Sequence, residues 1–382
     1  MQKKLIALAV AGLASGAAFA QTNVTMYGVA DAGYVYSRGS VANGAAPGTA
    51  KPVFSGIQSG LLAGSRIGFR GEEALGNGLK AIFRLEYALN LDQNTGVGSG
   101  VSGLYARQQF VGLAGNWGQL TLGRQYAPGY DATVRNDSFL GAAFSPHSFL
   151  TSTAGNTITP NSGARWNNSV AYTSGNYGGF QAKAIYGFGE YSPTNAAGVA
   201  GGENNIWDDG KAGIGLNYAN GPFNVDFVYQ GRYGQRTDPS LTTVNGDDTN
   251  EWYLGGSFDF KFAKLMASYQ KQNDKNAYNN DSNVWQVGAV IPVSSAGNIH
   301  LTYAQLNWDH ARKTVALPGG IDGKTKSGGI AYSHGLSKRT TLYTGVVHVK
   351  NNNDSLAIAP GTGTGAVDKS NTTFVAGINH TF

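Results

Sequence analysis

Between residues 80 and 90 apolar and polar positions alternate without a break. Ala81, Phe83, Leu85, Tyr87 and Leu89 fall on one face, and Lys80, Arg84, Glu86 and Asn90 on the other. About ten residues of this two-residue period are what a tilted strand needs to cross a bilayer, apolar side to lipid and polar side to water. The same period opposes Ile67 and Phe69 to Arg66, Gly68 and Arg70, and Phe223, Val225, Phe227 and Tyr229 to Asn224, Asp226 and Gln230. Trp252, Leu254 and Phe258 oppose Glu251, Tyr253, Ser257 and Asp259, and Ile299, Leu301 and Tyr303 oppose His300 and Thr302. A soluble sandwich with its polar side outward would alternate in the same way.

The connections separate the two readings. Short links (residues 73–77, 115–118, 175–179, 220–222, 261–263, 294–297 and 336–339) take turns with long ones rich in Gly, Asn, Ser and Asp (residues 37–64, 92–103, 126–163, 189–210, 231–250, 272–283, 307–326 and 351–370). Fifteen connections imply sixteen strands, and short turns at one rim with long loops at the other are the pattern of an antiparallel transmembrane β-barrel, short turns on the periplasmic side. Tyr27, Tyr36, Tyr87, Trp117, Trp166, Tyr172, Tyr186, Trp252, Tyr269 and Trp285 lie near strand ends, where two interfacial aromatic girdles would fall.

Composition sharpens this picture. Charged residues make up only 13% of the chain and mean hydropathy is −0.23, yet no apolar run is long enough for a membrane helix. A barrel reconciles the two, because only every second residue must be apolar and lipid-facing wall replaces charged surface. At the N-terminus, Lys3 and Lys4, an apolar stretch over residues 5–14 and Ala18-Phe19-Ala20 read as a signal peptide spanning residues 1–20, with the barrel domain over 21–382. Without Lys3 and Lys4 the chain carries 26 basic and 23 acidic residues, +3, too little to argue for a nucleic-acid partner. There is no cysteine, so an exported chain must hold together without disulfides.

Catalytic and metal chemistry find little footing. The six histidines show no metal-ligand spacing and there is no Gly-x-Ser-x-Gly elbow, so neither an enzyme nor a cofactor is expected. The Gly-Thr repeat at residues 361–365 lacks the Lys-Ser/Thr of a phosphate loop. Asp208-Asp209 and Asp247-Asp248 have the oxygen chemistry of a cation site but read as solvated loop charge.

The informative constellation is arginine. Arg66 and Arg70 on the second strand, Arg84 on the third, Arg107 on the fourth, Arg124 on the fifth and Arg165 at the start of the sixth would stack on one arc of the inner wall. Like charges in close register repel, so folding gives no reason for them. The long third loop, residues 126–163, carries Asp131 and Asp137, with Arg135, as candidate partners.

Val24-Thr25-Met26-Tyr27-Gly28-Val29, the run from Ser65 through Arg66-Ile67-Gly68-Phe69-Arg70 to Glu73, Arg107-Gln108-Gln109-Phe110-Val111-Gly112-Leu113, Gly118-Gln119-Leu120-Thr121-Leu122-Gly123-Arg124-Gln125 and Arg165-Trp166-Asn167-Asn168-Ser169-Val170 together resemble the trimeric general porins of Gram-negative outer membranes, over essentially all of residues 21–382. Phe374, Ala376, Ile378, His380 and Phe382 alternate to a terminal aromatic, similar to the last strand that outer-membrane proteins present for assembly. The resemblance implies an outer-membrane homotrimer in contact with lipopolysaccharide and a third loop bent inward as a constriction, passing ions and small hydrophilic solutes passively. Arg66, Arg70, Arg84, Arg107 and Arg165 would face Asp131 and Asp137 across that constriction, with modest anion preference. Arg66, Arg107 and Arg165 match the family's wall positions by motif, whereas Phe139-Leu140-Gly141-Ala142-Ala143 stands where enteric members carry an acidic loop tip. The alternative is a substrate-specific channel for a sugar or an anion.

Overall fold

The protein is described by a computed structural model covering residues 23–40, 53–93, 105–189, 209–234, 248–276, 281–309, 312–314, 317–321, 323–352 and 370–382. Its barrel strands are β1 (Asn23–Gly39), β2 in two pieces (Val53–Ser59 and Arg66–Gly76), β3 (Leu79–Ala88), β4 (Ala106–Gly115) and β5 (Gly118–Tyr126). They continue as β6 (Arg165–Ser174), β7 (Phe180–Gly187), β8 (Lys211–Asn220), β9 (Phe223–Arg232), β10 (Thr249–Asp259) and β11 (Lys264–Asp274). The last are β12 (Ser282–Pro292), β13 (Gly297–Trp308), β14 (Lys324–Gly335), β15 (Thr340–Asn352) and β16 (Ser370–Thr381). A short hairpin of Arg312–Thr314 with Leu317–Ile321 lies in the connection between β13 and β14.

Each strand pairs antiparallel with its sequence neighbours, and β1 closes the sheet on β16 from Val29↔Thr381 to Gly39↔Asn371. The sheet holds seventeen strand segments but sixteen barrel strands, because both pieces of β2 pair with β1 along one line. The piece Val53–Ser59 falls inside what the sequence reads as a long loop; Val53 and Ile57 are exposed on the outer side, in the ordinary strand alternation. The break after Ser59 is fixed by Asp31, whose carboxylate accepts from the backbone N–H groups of Leu61 (2.8 Å), Leu62 (3.3 Å) and Ala63 (3.3 Å), from Tyr343 Oη (2.9 Å) and from Asn379 (2.8 Å).

Alternation decides which face points outward. Leu85, Val111, Leu122, Leu216, Phe227, Leu254, Leu265 and Leu301 are exposed, while the polar members of the same strands, Asp226, Glu251, Gln270 and His300 among them, are buried. That is the arrangement of a sheet with lipid outside and polar groups within. Trp117 stacks on Tyr172, and Trp252–Tyr269 and Trp285–Tyr303 pair on the outer surface. Two aromatic residues depart from the girdle expected of them. Tyr27 points inward and donates to Glu86 at 2.9 Å, and Trp166 is fully buried with Ala127, Ala171 and Ile185.

The segment between β5 and β6 carries two helices, α1 (Pro128–Arg135) and α2 (Pro146–Thr153), each with proline in its first turn, and lies against the inner face. Phe139, Ala142, Phe144, Phe149 and Leu150 form one buried cluster with Val284, Ala304, Leu306, Ala331, Val347, Val349 and Val375 of β12–β16 and Val35 of β1. That arc of the inner wall therefore presents an apolar patch covered by the loop, with each fully buried Phe or Leu contributing roughly 1.5–3 kcal/mol.

Candidate pore constriction

Opposite the apolar arc, the arginines expected on the wall stand on β2–β6. Arg70 and Arg84 are directly opposite in the β2–β3 ladder, and each guanidinium lies over an aromatic ring, Arg70 above Tyr27 (5.4 Å) and Arg84 above Phe110 (5.8 Å). Cation–π contact steadies like charges that water alone must otherwise separate. Arg107 owes its position to a register shift: Glu86 pairs with Gln108 and Tyr87 with Ala106, so Arg107 is the extra residue of a bulge, and both Arg107 and Gln108 are buried. Arg107 Nε donates to Glu86 at 2.8 Å and Nη2 to Tyr126 Oη at 2.9 Å. Arg66 Nε lies 3.8 Å from the same Glu86, and Arg165 sits over the Tyr126 ring at 5.3 Å. A Cβ at Gly64 would meet Arg107 Nη1 at 2.7 Å, so a side chain there would have to displace that guanidinium.

The two loop aspartates part company. Asp131 on α1 reaches the lumen and pairs with Lys183 of β7 at 3.2 Å, not with a wall arginine. Asp137 is fully buried and accepts from Phe139 N–H (3.0 Å), Gly141 N–H (3.0 Å) and Ser145 Oγ (2.6 Å), which ties its carboxylate into the loop's own turn. The carboxylate beside Arg66 and Arg107 is instead Glu86 of the wall.

Two further wall acids anchor the loop, and sequence reasoning saw them only as polar members of alternating strands. Asp226 of β9 binds Arg135 (2.6 Å) and accepts from Asn136, Asn217 and Asn224. Burial alone would lower the Arg135 pKa, but the hydrogen bond and charge of Asp226 outweigh it and hold the cation. Glu251 of β10 takes the N–H groups of Thr157 and Ile158 and the Thr157 hydroxyl, with Arg232 at 3.4 Å. Tyr130 of α1 stacks on Tyr126 at 3.7 Å, and burial together with that neighbour pushes its phenol pKa up.

Two cavities flank this layer. One of about 600 Å³, on the side of the long loops, is lined by Arg66, Arg107, Arg124 and Arg165 with no carboxylate among its described lining. The other, about 570 Å³ toward the short turns, mixes Arg70, Arg84, Arg135 and Lys183 with Glu72, Asp131 and Asp226. Positive excess is thus concentrated on the loop side.

Residues 1–20, Asp208, Asp247 and residues 361–365 lie outside the described residues. At the other terminus, Phe382 completes the closure: Gly28 N–H donates to its carbonyl (3.0 Å) and its own N–H to Gly28 O (3.1 Å), with the ring lying on Gly28.

A family model described as Gram-negative porin matches residues 7–354. Outer membrane porin protein 32 of Delftia acidovorans is 33% identical over 390 residues, covering the whole of both chains. The major outer membrane protein P.IB of Neisseria gonorrhoeae is 28% identical over 83% of this chain and 88% of that one. Among solved structures, an anion-selective porin from Comamonas acidovorans superposes with a TM-score of 0.73 at 30% identity, over 95% of this chain and all of its own.

Proposed function

The chain belongs to the Gram-negative porin family, a channel of the cell outer membrane for passive diffusion rather than an enzyme, and on that premise we propose that it passes small hydrophilic solutes with modest preference for anions. The carrying observation is the loop-side cavity, whose described lining holds Arg66, Arg107, Arg124 and Arg165 and no carboxylate. In a low-dielectric wall such a surplus raises the local concentration of anions. The relative from Comamonas acidovorans, named as anion-selective, supports the same sign.

In this reading the third loop is the constriction, held on one side by its apolar seam and by Asp226 and Glu251. Arg66, Arg70, Arg84, Arg107 and Arg165 face the remaining passage, with Asp131 on its turn side, and Asp137 acts by shaping the loop tip. Three copies assemble in the membrane beside lipopolysaccharide, and Phe382 serves assembly. Residues 1–20 direct export and are removed.

The zero-current potential of the purified channel across a KCl gradient tests the proposal. It should lie on the anion side in dilute salt, and a cation-side value would overturn it. The Tyr126–Tyr130 stack between Arg107 and Arg165 favours a second reading, a site for one organic anion. Saturable block of KCl current by a carboxylate solute would support that reading, and linear behaviour would remove it.

A further inference from the structure

Along β1 the two pieces of β2 meet Ala32 at Ser59 and Val29 at Arg66, so the six residues 60–65 stand opposite only two, Ala30 and Asp31. Four residues more than the ladder can seat must leave the sheet, and they leave inward. Gly60 turns the chain with a φ of 73°, a conformation glycine adopts without strain, while its N–H stays on Asp31 O at 2.8 Å. Ser65 brings the chain back: its hydroxyl donates to Asp31 O (2.9 Å) and accepts from Asp31 N–H (3.1 Å).

The elbow between them, residues 60–64, is uncharged and braced at both ends. Leu61 is buried in the cluster that holds Phe139, Ala142 and Phe144 of the third loop, and its carbonyl accepts from Ala143 N–H at 2.8 Å. Gly64 O accepts from Arg66 Nη1 at 2.9 Å. The fully buried Asp31 carboxylate accepts from the N–H groups of Leu61, Leu62 and Ala63, and a carboxylate, having only acceptor sites, suits three converging donors. Tyr343 ties the same carboxylate to the loop tip, since its hydroxyl donates to Asp31 (2.9 Å) and its ring stacks on Phe144 (6.1 Å). Gly60, Leu62, Ala63 and Gly64 thereby line the loop-side cavity together with Arg66, Arg107 and Arg165.

We propose that this elbow is a second constriction element, a neutral lip set against the arginines that limits solute size on the loop side, and that Asp31 is the positioning residue that holds it inward. The third loop then narrows the passage together with a piece of the wall itself. The proposal rests on the reading of the chain as a diffusion channel but not on its anion preference, because the lip carries no charge.

The register supplies the test. Deleting residues 61–64 leaves Gly60 opposite Asp31 and Ser65 opposite Ala30, so β2 runs on with every later residue in its present pairing and facing. Swelling of proteoliposomes in neutral sugars reads size without charge. The rate for the trisaccharide raffinose relative to arabinose should rise severalfold in the deletion variant and fall in Ala63→Trp, which puts a large side chain on the lip. Asp31→Asn keeps the shape of the side chain but sets an amide NH2 among N–H donors. Its folded barrels, selected by heat-modifiable mobility, should also show a raised ratio, whereas a role confined to stability would lower their yield and leave the ratio alone. A deletion variant with the wild-type ratio would overturn the lip; if the deletion yields no folded barrel, an unchanged ratio in Ala63→Trp does so. An unchanged ratio in Asp31→Asn would overturn the part given to Asp31. Wild-type barrels that admit no arabinose would refute the channel reading itself, while admission of arabinose with unmoved ratios would refute the lip alone.

Discussion

Replacing Arg66 and Arg165 together by Ser removes two positive charges from the loop-side cavity while leaving its framework standing. Arg66 keeps a hydrogen bond only to Gly64 O (2.9 Å) besides its longer approach to Glu86, and Arg165 one to Ser162 Oγ (2.7 Å). Arg107 is left in place because its Nε holds the buried Glu86, and removing one partner of a buried pair costs about 3–5 kcal/mol. A unit charge about 7 Å from the solute path contributes roughly 0.6 kcal/mol in water, and about half of that at 0.1 M salt, where the Debye length is near 10 Å. Two such charges add to about 0.6 kcal/mol, with opposite sign for anion and cation, so their loss should lower the anion-to-cation permeability ratio about sevenfold. At 1 M the Debye length falls to about 3 Å and the change should shrink to about 1.5-fold. Zero-current potentials of single channels in KCl gradients, taken at both salt levels, measure it. A ratio that does not move in dilute salt, or that moves as far at 1 M, would refute electrostatic selection by these arginines.

Phe83→Arg, on the outer face of β3, should cost roughly 2–4 kcal/mol at the bilayer midplane, read as lost heat-modifiable mobility after refolding into vesicles. Deleting Phe382 removes the hydrogen bonds that join the last residue to Gly28 and should lower the yield of folded barrel in the outer membrane, while channels that do assemble conduct normally. Phe144→Ala should cost about 3–5 kcal/mol of loop packing and appear as noisier, flickering single-channel current, whereas a quiet channel would mean that the loop is held by its polar anchors alone. His147 of α2 is fully buried, and desolvation lowers its pKa against the opposing pull of Asp137. A base whose folded pKa is lowered stabilises above its unfolded value of 6.5 and loses that contribution as pH falls below it. His147→Gln should therefore flatten the decline in thermal stability between about pH 7 and pH 5, and an unchanged decline would clear His147 of responsibility.

What could be read from the sequence followed from period and spacing. A two-residue alternation fixes facing without any knowledge of partners, so Arg66, Arg70 and Arg84 could be placed on one arc before the sheet closed. Arg107 lies inward for a reason that alternation does not carry. The bulge that brings both it and Gln108 inward breaks the alternation on which the reading relied. Tyr27 and Trp166 show the opposite failure, since proximity to a strand end says nothing about the face, and both lie inside. The acids were least legible. Only loop membership and the family resemblance link Asp131 and Asp137 to the arginines, whereas a carboxylate goes to whichever donors the backbone brings nearest. For Asp137 those are N–H groups two and four residues along its own chain, and for Arg107 the nearest acid is Glu86 on the adjacent strand.

The apolar loop tip makes sense of this division. An acidic tip would place a carboxylate against Val284, Ala304, Leu306, Ala331, Val347 and Val375 on the inner faces of β12–β16, whereas an apolar tip packs there without stranding a polar group. Phe139, Ala142 and Phe144 meet that wall and draw the loop toward it, away from the arginines. On the proposed reading the lumen is thereby divided into an apolar seam on one side and a charged passage on the other. Because the loop brings only Asp131 to the passage, and Lys183 already holds it, the wall arginines are balanced chiefly by Glu86 and by the rings of Tyr27, Phe110 and Tyr126. Aromatic faces steady a cation without cancelling its charge. A passage built in this way keeps its positive potential while its arginines stay ordered, the condition that anion preference requires.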